Sequence, residues 1–326
     1  MNDRVITYRE AVAEAIAEEM RRDPCVFMMG EDIGLHGGAF AASKGLFAEF
    51  GSQRIRDTPI SESVITGAGV GAALTGMRPI VEIMYMDFMA FAMDSIVNQA
   101  AKVKYMFGGR ARMPLTIRTA FGAGRGNAAQ HSQSLETWFT LIPGLIVVMP
   151  STPYDAKGLL KSAIRSDNTV IVIENKLLYA DRGPVPPVDY IVPLGKAAIR
   201  RQGQDVTVVA TSRMCNMASL AIGRLTEEGI SVEFIDARTI KPLDMATISA
   251  SVRKTHRAVV VSEGHRSGGF TNELAARIME ECFYDLDAPI VRVAAEDVPI
   301  PYNRRLEAEV IPSDKDILAA VKKVMA

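Results

Sequence analysis

Short apolar runs alternate with amphipathic runs of ten or more residues along almost the whole chain, and this alternation restricts the fold more than any other feature. Strands separated by helices of that length pair in parallel, with the helices crossing over the faces of the sheet. Thr7-Tyr8-Arg9-Glu10 is a capping-box sequence. It opens a helix to about Arg22, with Val12, Ala15, Ile16 and Met20 at helical spacing. Val26–Met29 reads as a buried strand ending at Gly30. The spacing predicts helices over Glu62–Thr75, Asp87–Tyr105 and Tyr154–Arg165, and strands over Arg78–Ile83, Leu115–Thr119, Leu145–Met149 and Val170–Glu174.

The pattern breaks where Pro184, Pro186, Pro187 and Pro193 fall close together, and a second series begins at Val206. Strands over Val206–Ala210, Val232–Asp236, Ala258–Ser262 and Ile290–Val293 alternate there with helices over Cys215–Glu228, Asp244–Arg253, Phe270–Glu281 and Asp314–Val324. The expected fold class is therefore α/β, with two doubly wound domains over residues 1–180 and 195–326 and a linker over 181–194. The length of 326 residues agrees with that division at about 150 residues per domain.

Composition excludes several classes. With 48% hydrophobic and 23% charged residues the chain is neither disordered nor fibrous. Lys plus Arg is 37 against 38 for Asp plus Glu, so no global charge draws it to nucleic acid or an anionic membrane. The uncharged stretch Ser63–Met77 is too short and too rich in Gly and Ala to span a bilayer. The start of the chain shows no apolar signal core. Cys25, Cys215 and Cys282 form no CxxC pair, so a reducing, cytoplasmic setting is expected.

No phosphate-loop GxxxxGK[ST], HExxH or GxSxG is present, and the four histidines do not cluster at metal-ligand spacing. Glu62, in DTPISES, opens the small-residue helix. A carboxylate there complements the helix dipole, or, if buried near Pro59, Ile60, Val64 and Ile65, becomes an acid with a raised pKa. The helix behind it holds Gly67, Gly69, Gly71 and Gly76, each about 1 kcal/mol worse than Ala. That composition serves close packing inside the domain or a close subunit interface. His131 follows the glycine-rich GAGRG and is either a solvated loop residue or an acid/base group. Met84, Met86, Phe88, Met89, Phe91 and Met93 pack a core or form a platform for a flat ring at the end of a parallel strand.

Seven segments in order, GEDIG, RIRDTPISES, GAGVGAALTGMRPIVEIMYMDF, AAQHSQS, PGLIVVMPSTPYDAKGLLKSAIRSDN, DARTIKPLD and DVPIPY, carry a resemblance that covers essentially the whole chain. The chain resembles the β subunits of the thiamine-diphosphate-dependent component of 2-oxo acid and acetoin dehydrogenase complexes. The resemblance implies a pyrimidine-binding domain followed by a transketolase-like C-terminal domain, and an α2β2 heterotetramer with thiamine diphosphate shared between α and β subunits. It implies that Glu62 shares a proton with ring nitrogen N1′ of the aminopyrimidine, so that N4′ can take the thiazolium proton. Met84 matches a position whose carbonyl accepts from the amino group, and Phe88 matches the residue that stacks on the pyrimidine. Ile60 is taken with them as cofactor-binding, and His131 matches a histidine that assists substrate and lipoyl-group chemistry. Leu115, Ala163, Ser166 and Asn168 match positions that hold potassium in some relatives, with aspartate in relatives at the place of Ser166.

The family's GDG and following NN, which hold diphosphate and Mg2+, are absent. The resemblance therefore implies that the α subunit supplies that half of the site. The implied reaction cleaves pyruvate, another 2-oxo acid or acetoin and passes the acyl unit to the lipoyl-bearing acyltransferase; MRPIVEIMYMDFM, KYMFGG and PSTPYDAKGLL resemble acetoin-type members. Two other readings remain at this level: a self-sufficient enzyme similar to transketolase or deoxyxylulose-phosphate synthase, and a non-catalytic assembly module.

Overall fold

The computed structural model describes residues 4–326. Two compact units emerge, one of Met1–Phe121 with Trp138–Leu194, the other of Gly122–Thr137 with Gly195–Ala326. The segment 122–137 thus groups with the second unit, which a division by chain order does not anticipate.

In the first unit, β1 (Arg4–Thr7) leads into α1 (Tyr8–Arg22), followed by β2 (Val26–Gly30), α2 (Leu46–Arg54), β3 (Ile55–Asp57), α3 (Glu62–Leu74) and β4 (Arg78–Tyr85). After these come β5 (Thr116–Phe121), β6 (Ile146–Val148), α4 (Pro153–Arg165), β7 (Val170–Asn175) and β8 (Arg182–Val185). The capping box forms as expected: Thr7 N–H donates to Glu10 Oε2 at 2.7 Å and Glu10 N–H to Thr7 Oγ1 at 3.3 Å.

Six strands of this unit pair in parallel in the order β6-β7-β5-β4-β2-β3. Strands β2, β5 and β7 are buried along their whole length, which is why β2 and most of β7 read as continuous apolar runs and not as alternating ones. Helices α1 and α4 pack on one face through Val12, Ala15, Ile16, Met20, Ala156, Leu159, Leu160 and Ala163. Beside this seam Lys157 pairs with Glu14 and, at 2.7 Å, with Glu18.

Two expectations change. The long helix expected over Asp87–Tyr105 is broken into a 3₁₀ segment, Met86–Ala92, a π segment, Ser95–Ala100, and one α turn, Val103–Met106. Met86, Met89 and Ala92 are all fully buried. A burial period of three matches the three residues per turn of a 3₁₀ helix better than the 3.6 of an α-helix. The proline-rich segment expected as linker is fitted to the first unit. Its β8 pairs antiparallel with β1, an edge ribbon that tolerates proline, and Ser162 Oγ donates to the Val192 carbonyl at 2.6 Å.

The second unit holds β9 (Ala198–Arg201), β10 (Val206–Ala210), α5 (Met214–Glu227), β11 (Val232–Asp236), α6 (Met245–Thr255), β12 (Ala258–His265), α7 (Phe270–Cys282), β13 (Val291–Ala295), α8 (Arg304–Val310) and α9 (Asp314–Met325). Its sheet order is β13-β12-β10-β11-β9, parallel except for the antiparallel edge strand β9. Its core is built from Val206, Val208, Val259 and Val261 of the sheet against Ala218, Ile222, Leu225, Ile317 and Val321 of α5 and α9. Among the described residues no helix is long and apolar enough to cross a membrane.

Candidate active site

In the first unit β2 has β3 on one side and β4 on the other, and the chain then runs on from β4 to β5. The connections leaving β2 and β4 therefore diverge to opposite sides. Ligands of open α/β sheets sit outside the carboxyl ends of the strands at such a switch point. Three segments meet the rule here: Glu31 directly after β2, Thr58–Glu62 after β3, and Met84–Phe88 at the end of β4. The Thr58 N–H donates to the Gly30 carbonyl at 3.0 Å and ties the second segment to the first. Gly30 lets β2 approach β4 closely, since a Cβ there would lie 2.9 Å from the Glu82 carbonyl oxygen.

Glu62 begins α3 and is 8% exposed. Among the described residues no donor hydrogen-bonds its carboxyl and no cation pairs with it. Beside it stands Glu31, whose Oε1 is buried with no hydrogen-bond partner among the described residues. Burial raises the Glu31 pKa, and the neighbouring carboxylates Glu62, Asp32 and Glu82 raise it further. Glu31 was not singled out from the sequence. Its signal was there, a carboxylate immediately after a buried strand that ends in glycine.

Met84 sits at a bulge. Ile83 pairs with Thr119 and Tyr85 with Ala120, so Met84 has no residue opposite it on β5. A bulge leaves its extra residue outside the ladder and re-aims the strand end, a device found beside active sites. Phe88, half-buried, meets the Tyr85 ring edge-on at 5.9 Å. Tyr85 meets Phe40 at 5.6 Å, and Phe40 stacks on Tyr179 at 5.1 Å. The ring of Phe88 is thus held by a run of aromatic contacts reaching into the core. Ile60 is 81% exposed.

The small-residue helix packs closely inside its unit on one side and leaves the other side exposed. Gly69 faces inward, where a Cβ would come within 2.7 Å of Val81 Cγ1. Val64, Ala68, Gly71 and Leu74 face outward and are exposed, a bare stripe of small and apolar groups.

His131 lies in the second unit. Its N–H donates to the Ala128 carbonyl at 3.5 Å, and Ala128 is left-handed at φ +60°.

The residues matched to a potassium site are differently employed. The Leu115 carbonyl accepts from Val170 N–H at 3.0 Å, and the Ala163 carbonyl from Ser166 N–H at 3.1 Å. The Ser166 carbonyl accepts from Arg78 at 3.0 Å, and Asn168 Oδ1 from Lys104 Nζ at 2.6 Å. Fixed positive charges already meet two of these four oxygens, and Ser166 brings no carboxylate, so the donor set does not fit a potassium ion. The Tm of the protein is expected to be the same in KCl and NaCl at equal ionic strength. A site filled at 100 times its dissociation constant would add about 2.7 kcal/mol, so a potassium-specific rise in Tm would overturn this reading. Among the described residues no group of three or more His, Cys, Asp and Glu could hold a metal ion.

The domain families define the class, the transketolase type. Residues 4–182 match the family model of the transketolase pyrimidine-binding domain and residues 195–317 that of the transketolase C-terminal domain. A split-gene transketolase, solved as an inactive β4 tetramer, superposes with a TM-score of 0.78 over 98% of both chains at 23% identity, which speaks for the fold. The chain is 46% identical to pyruvate dehydrogenase E1 component subunit beta-1, mitochondrial, of Arabidopsis thaliana, covering 98% of this chain and 89% of that protein. It is 47% identical to the pyruvate dehydrogenase E1 β subunit of Rhizobium meliloti, over 98% of this chain and 70% of that one. It is 42% identical to the 2-oxoisovalerate dehydrogenase β subunit of Bacillus subtilis, over 98% of both. The chain belongs to the β-subunit family of 2-oxo acid dehydrogenase E1 components.

Proposed function

We propose that this chain carries the pyrimidine half of a thiamine diphosphate site, which an α subunit completes in an α2β2 enzyme. The observation that carries the reading is the Glu62 carboxyl, buried at the switch point beside Glu31 and without a donor among the described residues. When bound, thiamine diphosphate supplies a nucleophilic carbon that adds to a substrate carbonyl and accepts the electron pair of the broken carbon–carbon bond.

This chain's own residues prepare that chemistry. Glu62 holds and moves a proton at ring nitrogen N1′. Glu31, with its pKa raised, takes up a proton at higher pH than an ordinary carboxyl and so adds less negative charge beside Glu62. The bulged backbone at Met84 would offer its carbonyl to the amino group, and Phe88 would supply a face for the ring. Ile60, on the exposed loop before α3, would be a further contact of the cofactor. His131 serves the substrate and the incoming lipoyl group. The bare stripe of α3 is the face on which another subunit packs.

The α subunit holds Mg2+ and diphosphate, and the lipoyl-bearing acyltransferase takes the acyl unit. The substrate is pyruvate or acetoin in preference to branched-chain 2-oxo acids, and comparing turnover of acetoin, pyruvate and 2-oxoisovalerate with an artificial electron acceptor checks this. The three cysteines are free thiols, as a reducing compartment allows.

The half-site is tested by titrating thiamine diphosphate and Mg2+ into the chain alone and into its mixture with the cognate α subunit. Binding to the chain alone should be weaker by about 100-fold or more, the equivalent of ~2.7 kcal/mol. Tight, Mg2+-dependent binding by the chain alone would sink the half-site.

A further inference from the structure

The segment that bears His131 is fastened to the rest of its unit by buried carboxylates. Ala123 N–H donates to Glu263 Oε1 of β12 at 2.6 Å. Gly124 N–H donates to Glu307 Oε1 at 2.7 Å, and Gly126 N–H to Glu307 Oε2 at 2.9 Å. Glu307 lies on α8 and is 2% exposed, and among the described residues no cation pairs with it. Its charge is met by backbone donors, the stronger kind of hydrogen bond.

The loop is also anchored at its start, where Ala123 is buried in the core of the unit and the Gly122 N–H donates to the Gln133 carbonyl at 3.4 Å. Gly124 and Gly126 are left-handed, at φ +100° and +69°. A Cβ on Gly126 would come within 3.1 Å of the Tyr302 carbonyl oxygen, at the end of the DVPIPY stretch. Gly124 and Arg125 are exposed and offer the loop no apolar anchor of their own. A carboxylate is acceptor-only and has two oxygens, so one side chain can hold two N–H groups that flank Arg125.

We infer that Glu307 is a positioning residue, which sets the conformation of the loop that presents His131. The inference rests on the reading of His131 as an active-site residue. Glutamine at 307 turns an NH2 group toward one of the two N–H donors and breaks at least one bond. The loop then loses its fixed geometry, and small displacements of a reacting group reduce rates by on the order of 100-fold.

The test uses the assembled enzyme with its α subunit. Glu307→Gln should speed hydrogen exchange in the peptide covering residues 122–131 by about tenfold, while β10 and β11 keep their protection. Turnover should fall by about 10- to 100-fold with the concentration of thiamine diphosphate at half-saturation unchanged, and Glu307→Asp should recover part of it. Exchange unchanged in the 122–131 peptide, or raised evenly across the whole unit, would overturn the inference. His131→Ala separates the two readings. If it leaves turnover intact while Glu307→Gln loosens the loop, the role of His131 fails and the carboxylate clamp stands.

Discussion

Replacing Glu62 by glutamine in the assembled enzyme should lower turnover by roughly 10²- to 10⁴-fold, the range supplied by a single positioned acid/base group. Glutamine has the same shape, so the start of α3 and its packing should survive. It cannot exchange a proton, so the group facing ring nitrogen N1′ loses its chemistry while keeping its place. Among the described residues the Glu62 carboxyl has no donor, so the substitution breaks no hydrogen bond within them. Cofactor affinity should therefore change by only a few fold, about 1 kcal/mol for one hydrogen bond. The measurement is steady-state turnover with a 2-oxo acid and an artificial electron acceptor, beside a thiamine diphosphate titration of the same preparation. Turnover within a factor of about two of the unmodified enzyme would remove Glu62 from the mechanism.

Much of the architecture was legible because buried parallel strands and amphipathic helices differ in period and length. Val206–Ala210 and Val232–Asp236 appear as strands with the ends expected, and α3 begins at Glu62. The features that escaped depend on contacts distant in sequence. Residues 86–106 are apolar enough for a helix, and only the buried spacing of Met86, Met89 and Ala92 reveals the tighter winding. The edge ribbon of β1 and β8 joins residues about 180 positions apart, and neither strand alternates cleanly. The segment 122–137 groups with the second unit because Glu263 and Glu307, far along the chain, accept its N–H groups.

The candidate site divides in the same way. Glu62, Met84 and Phe88 were reachable through the resemblance, and Glu62 also through its place at a helix start. The bulge that sets Met84 apart is a matter of register between two strands and leaves no mark on one of them. Glu31 stood inside a motif but gained its meaning only from the three carboxylates that surround it in space. The potassium positions show the reverse. A match of residue types could not reveal that Arg78 and Lys104 had taken the oxygens.

The second large effect concerns Arg118, a buried cation on the central strand β5. Its side chain is 1% exposed and lies between two carboxylates of neighbouring strands. It meets Glu174 in a two-pronged pair, Nε to Oε1 and Nη2 to Oε2, both at 2.8 Å, and it meets Glu82 at 2.5 Å. Tyr179 completes the cluster by donating to Glu174 Oε2 at 2.8 Å. Burial opposes the charge on Arg118, yet Glu174 and Glu82 more than offset this and raise its pKa. Burial likewise raises the pKa of Glu82, with Arg118 opposing. Arg118→Met keeps much of the volume and removes the cation, which leaves two carboxylates without compensation in the sheet. Breaking a buried pair in this way destabilises by about 3–5 kcal/mol, and the Tm of the chain should fall by on the order of 10 °C. Adding Glu174→Gln to Arg118→Met should restore part of the loss, because it removes one of the stranded charges; a double-mutant cycle followed by thermal and denaturant unfolding measures the coupling. A loss below about 1 kcal/mol for Arg118→Met would mean that water enters the cluster and solvates the carboxylates, and that the buried network does not hold the centre of this sheet.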